Sequence, residues 1–192
     1  MREWLLFLPQ TPSTPSSLRV SVWRRMQQFG AVTLQNGVWI LPRGNEVEHA
    51  LHMLLADLET QGGGGLILLA RAPHSDLEDR ITERFTAARE QEYAEFIDRC
   101  EQFLGELEKE TRSQKFTFAE LEENEEDLNK LIHWLRKIHS RDFLGGPARD
   151  AASAALLRCQ RALKDYTTQV YLPLGFEPPE TSFGEDEMQQ ES

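Results

Sequence analysis

The 192-residue chain is 40% hydrophobic and 28% charged, with a formal net charge of −11. That suffices for one domain, or two small ones, with a buried core, and no apolar run approaches the ~20 residues of a membrane span. The charge excludes a broad nucleic-acid surface, since non-specific affinity comes from neutralising phosphates; residues up to Ser75 carry +1 and the remainder −12.

Trp4-Leu5-Leu6-Phe7-Leu8-Pro9 is a continuous apolar run of strand length and reads as a central strand buried on both faces. A polar loop follows. Ser17 to Phe29 places Leu18, Val22, Met26 and Phe29 at helical spacing, with a serine in front as N-cap and Gly30 as stop signal. Residues 32–41 read as a β-hairpin closed by Asn36-Gly37, the pair that suits a type I′ turn. That turn pairs Leu34 with Trp39 and Val32 with Leu41 on one face, leaving Thr33, Val38 and Ile40 on the other. Both sides of the sheet then need cover, by helices or by a second copy of the chain.

A second amphipathic helix runs from about Glu46 to Gln61, with Val47, Leu51, Leu54, Leu55 and Leu58 on its stripe. Gly62 to Gly65 reads as a turn and Leu66 to Ala70 as the last strand. Strand, helix, hairpin, helix, strand is the split βαβ order. After Pro73, Ser75 and Glu78 have capping-box spacing at the head of a helix of roughly 35 residues. Thr117 and Glu120 repeat that spacing before a second long helix, and Pro147 opens a third after Gly145-Gly146. The expected architecture is α+β: a ferredoxin-like split βαβ (βαββαβ) domain over residues 1–72, an antiparallel three-helix bundle over 73–172 and a disordered acidic tail over 173–192.

No catalytic constellation is legible. Gly62-Gly63-Gly64-Gly65 lacks the Lys-Ser/Thr of a phosphate loop and leads into a strand. His49 and His52 stand three apart without further ligands at metal spacing, so no metal or cofactor is expected. Neither cysteine has a basic neighbour one turn away. Cys100 and Cys159 read as buried reduced thiols. With no secretory signal visible, the expected compartment is the cytoplasm.

Two cationic groups remain. Arg19, Trp23, Arg24 and Arg25 lie on the first helix outside its core stripe; they suit contact with DNA or an acidic partner, or else serve solubility and salt bridging. DNA contact runs against the net charge. Arg136, Lys137, Arg141 and Arg149 surround a Gly-Gly lead into a helix, which suits an anion, or else complements the helix dipole without a ligand.

The first strand, Pro15 to Arg25, Gly30 to Pro42, and Arg141-Asp142-Phe143-Leu144-Gly145-Gly146-Pro147 together resemble the N-terminal domain of ChrB-type chromate-resistance proteins. The resemblance covers about residues 1–172. The first half is similar, more loosely, to the ferredoxin-like domain of PaaX-type repressors and to small CRISPR-associated nucleases of that fold. Those nucleases place an acidic metal ligand at the end of the first strand, where this chain has Leu8-Pro9-Gln10, so no catalytic residue carries over. The ChrB resemblance implies a bacterial, cytoplasmic, non-enzymatic regulatory or accessory protein of chromate response, dimeric, with chromate as the oxyanion for the second group. Full-length members carry a further C-terminal domain, and the expectation here is an acidic tail in its place. Alternatives are a DNA-contacting repressor using the first-helix arginines, and an interaction module docking a partner on its long helix.

Overall fold

The computed structural model describes residues 2–13 and 16–176. The order is β1 (Glu3–Gln10), α1 (Ser17–Gln28), β2 (Val32–Gln35), β3 (Val38–Pro42), α2 (Asn45–Thr60), β4 (Gly64–Arg71), α3 (Ser75–Arg112), α4 (Phe118–His139), α5 (Pro147–Tyr171) and a 3-10 turn at Leu172–Leu174. The fold is α+β, with a four-stranded antiparallel sheet ordered β2-β3-β1-β4. The expected acidic tail lies, beyond residue 176, outside the described residues.

Two compact units form. The first is the chain up to Arg89 together with Ser140–Leu144; the second is Glu90–His139 and the chain from Gly145. The proposed boundary at residue 72 differs from this division, which falls inside α3. The reason is packing. Ile81 and Phe85 of α3 bury themselves with Trp4 and Ile40 of the sheet. Trp4 stacks on Phe85 with ring centroids 5.5 Å apart, and Phe85 meets Phe143 edge-on at 6.3 Å.

The other face of the sheet carries Leu5, Phe7, Trp39 and Leu41. These pack against Leu18, Val22 and Met26 of α1 and Leu51, Leu54 and Leu58 of α2. Both faces of β1 and β3 are therefore covered within the first unit. β4 is an edge strand, and Leu66 and Leu68 are 55% and 45% exposed. They lie opposite Leu8 and Leu6 in the ladder, on the α3 side. At one end of the sheet Glu3 accepts hydrogen bonds from Arg43 (2.7 Å) and Arg71. Those guanidinium bonds, Arg71 first, hold its carboxyl below the usual carboxylate range.

Three local expectations change. Asn36 does not adopt positive φ; only Gly37 does, at 76°. The turn is therefore not type I′, and the ladder shifts register between Thr33 and Gln35. Val32 pairs with Ile40 and Thr33 with Trp39, one step from the expected pairing. A one-residue slip exchanges faces, so Val32, Leu34 and Ile40 share the α3 side while Trp39 and Leu41 face α1 and α2. Ser16 makes no side-chain cap for α1. The Ser75–Glu78 capping box is also absent: the Glu78 carboxylate accepts the Arg2 amide, and Ser75 Oγ contacts Asp76.

In the second unit, α3 from Tyr93 onward, α4 and α5 share one apolar core that includes Phe96, Leu128, Leu135, Leu156 and Leu163. Thr117 does cap α4, accepting the Glu120 amide at 3.3 Å, and Pro147 stands in the first turn of α5. Tyr166 is 2% exposed, and its hydroxyl donates to the Lys115 carbonyl. Burial, reinforced by Glu110 and Glu120, pushes its phenol up to about 12 from an ordinary value of 10.0. The unfolded chain releases this proton near pH 10 while the folded chain retains it. Stability is therefore fully present below about pH 10 and lost as pH rises through about 12, by an amount on the order of 2 kcal/mol. Tyr166→Phe should remove this alkaline loss, read as flatter urea midpoints between pH 9 and about pH 12.

Candidate functional site

The four cations from the α4–α5 connection do not share one unit. Arg136 and Lys137 occupy the last turn of α4, where they complement the helix dipole, and both are exposed. Arg149 lies in the first turn of α5, its amide bonded to the Gly146 carbonyl at 3.0 Å. These three belong to the second unit. Arg141 belongs to the first, where its backbone is wedged against Gly30: a Cβ on that glycine would stand 2.8 Å from both the Arg141 Cβ and its carbonyl oxygen. Arg136, Lys137 and Arg141 all carry interactions within the chain.

Asp142 follows Arg141 and is 8% exposed. Its carboxylate accepts the Leu144 amide at 3.2 Å, an Asx-type turn that starts the chain toward the Gly145-Gly146 step. Both glycines have positive φ, 66° and 131°, and Gly146 leads α5 without a side-chain cap. The first amides of α5 thus have no capping side chain on Gly146, the arrangement that favours a nearby anion.

The first-helix group divides differently. Arg25 forms a 2.6 Å ion pair with Asp57 of α2 and is drawn off the patch. Arg19, Trp23 and Arg24 remain exposed on α1 beside Val20, with Trp23 at 54%. An exposed tryptophan flanked by arginines has the composition that protein interfaces favour.

The other candidates resolve into structural roles. Gly62, at φ 78°, and Gly63 close the C-terminus of α2, with the Gly63 amide bonded to the Leu58 carbonyl at 2.9 Å. Gly64 and Gly65 are strand residues paired with Gln10 and Pro9. A phosphate cradle is not formed there. His49 and His52 are exposed on α2, and among the described residues no three His, Cys, Asp or Glu side chains are placed to hold a metal. Among the described residues no helix is long and apolar enough to cross a membrane.

Two features escaped sequence reasoning. One is a groove of about 340 Å³ in the second unit, floored by Phe103, Leu131 and Trp134 and rimmed by Arg99, Glu110 and Asp127. Asn124, 6% exposed, donates to Glu110 there at 2.7 Å and to the Glu120 carbonyl at 2.8 Å. Burial nonetheless raises the Glu110 carboxyl above its ordinary range. The other is the meeting of the two cysteines in the core. Both sit on stripes legible in the sequence, but the level at which α3 and α5 face one another is not.

The sequence that builds these elements, including the Arg141–Pro147 connection, matches a known family. A sequence model of the family described as "Protein ChrB, N-terminal" matches residues 19–175. The chain belongs to that family. Among curated relatives, the "Protein ChrB" of Cupriavidus metallidurans is 29% identical over 94 residues, covering 49% of this chain and 28% of that relative. The match thus spans well under two thirds of the relative's length.

Proposed function

We propose that this chain is a non-enzymatic regulatory or accessory domain of the ChrB type, acting in chromate resistance or chromate-responsive transcription. The observation that carries this reading is the family match, which runs through both compact units. The strand order β2-β3-β1-β4 with α1 and α2 on one face supports a ferredoxin-like first domain. The shared core of α3, α4 and α5 supports a three-helix bundle. Cytoplasmic location and a homodimer belong to the same reading, with the exposed leucines of edge strand β4 as the apolar surface for a second copy.

In this reading the ligand is an oxyanion, chromate or its analogue sulfate, drawn to the uncapped start of α5 by the second-unit cations Arg136, Lys137 and Arg149. Calorimetric titration with sulfate and chromate tests it. The expected result is saturable binding that Arg136→Ala with Arg149→Ala weakens at least tenfold. Unchanged affinity in that double variant rejects the site.

A second reading has its own observation. Exposed Trp23 beside Arg19 and Arg24 suits contact with DNA or an acidic partner chain. DNA binding of this kind weakens steeply with salt, and no band shift with promoter DNA at low salt rejects that role.

A further inference from the structure

Cys100 of α3 and Cys159 of α5 are the only cysteines of the chain, and both are free. Each is fully buried in the core of the second unit. The Cys159 Sγ donates to the Cys100 carbonyl oxygen at 3.6 Å, which sets the two cysteines side by side in the core. The surrounding core is made of apolar side chains such as Phe96, Leu156 and Leu163.

We propose that Cys100 and Cys159 form a redox-active pair that closes to an intramolecular disulfide when the chain meets a two-electron oxidant of the hydroperoxide class. The inference is independent of the oxyanion site. Cys159 is the thiol held lower of the two, by its contact with Cys100 and by neighbouring Arg158, against the cost of burial. The same contact, with burial, pushes the Cys100 thiol up. The Cys159 thiolate attacks one peroxide oxygen. The O–O bond breaks, a sulfenic acid forms, and the departing hydroxide leaves as water after taking up a proton. The Cys100 sulfur then attacks the sulfenic sulfur, the S–OH bond breaks, and the expelled hydroxide takes the Cys100 proton as a second water. With hydrogen peroxide two thiols are oxidised and one peroxide is reduced to two waters; an organic hydroperoxide leaves an alcohol in place of the first water. The chain has no other thiol, so a sulfenic acid formed on one cysteine has the other as its resolving partner. Closure ties α3 to α5 across 59 residues of chain.

Burial sets the rate: the oxidant reaches the pair when α3 and α5 open locally, so mild denaturant accelerates the reaction while the fold persists. The test uses the full chain, fully reduced, exposed to hydrogen peroxide with and without urea below the unfolding midpoint. Thiols are then counted after complete unfolding. The expected result is a fall from two thiols to none, two hydrogens lost in intact mass, a monomeric product on a non-reducing gel and full recovery with dithiothreitol. Cys100→Ser should stop at a sulfenic acid trapped by dimedone. Two thiols surviving in sub-denaturing urea, a product joined only between chains, or separate sulfinic acids would each overturn the proposal.

Discussion

Trp4→Ala should unfold or severely weaken the first unit, with a loss of about 3–5 kcal/mol in urea-derived stability, the range for truncating a large core aromatic. Trp4 is 1% exposed and is the central element on its side of the sheet, in contact with β3 through Ile40 and with α3 through Ile81 and Phe85. Its removal leaves Phe85 without a stacking partner and opens a void that Phe143, touching Phe85 only by an edge, cannot fill. Trp4→Phe provides the contrast. The indole Nε1 has no hydrogen-bond partner among the described residues, and a buried unsatisfied donor costs about 1–3 kcal/mol. Phenylalanine removes that cost while keeping most of the ring. Its net loss should be about 1 kcal/mol or less. A Trp4→Phe loss as large as that of Trp4→Ala would show that the indole makes a polar contact which this packing lacks.

Gly30→Ala carries the second large effect. Gly30 has φ 74°, which an L side chain tolerates at about 1–2 kcal/mol. A Cβ there would also press on Arg141 at 2.8 Å, partly against its backbone, which cannot rotate away as a side-chain tip could. Overpacking of that kind costs a further 1–3 kcal/mol or so, for a total of about 2–5 kcal/mol. Gly37→Ala is the control. Its φ is nearly the same, 76°, but nothing lies within 4 Å of the added carbon, so it should lose only the conformational part. The difference between the two urea midpoints measures how firmly the Ser140–Leu144 segment is held in the first unit. Equal losses would mean that the segment yields freely.

Much of the fold was legible because periodicity reports which residues a helix or strand buries. The stripes of α1, α2 and α5 and the two-faced burial of β1 follow from spacing alone. What stayed hidden was how stripes find partners. Ile81 and Phe85 read as core positions of a separate helical domain, yet they close the sheet. The hairpin was legible as a turn but not in register, because the conformation of Asn36 is decided by the strands it joins as well as by its own preference. Serine at residues 16 and 75 signals a helix start in sequence, but neither side chain makes the expected cap. The arginine run from Arg136 to Arg149 shows the same limit at the candidate site. Neighbours in sequence are shared out between units when a short return segment belongs to one and the helices on either side to the other.

That return segment has a consequence for the order of folding. Gly30 is seated against a residue more than a hundred positions downstream, and Phe85 meets Phe143 from the far side of α4. Contacts of such long sequence separation form late, since the intervening chain must close a large loop before they contribute. On the ribosome the sheet and its first two helices can emerge and collapse, but Phe143 and Leu144 are still missing from their packing. The first unit to begin folding is therefore not the first to finish: it stays open at one seam until most of the second unit has been synthesised.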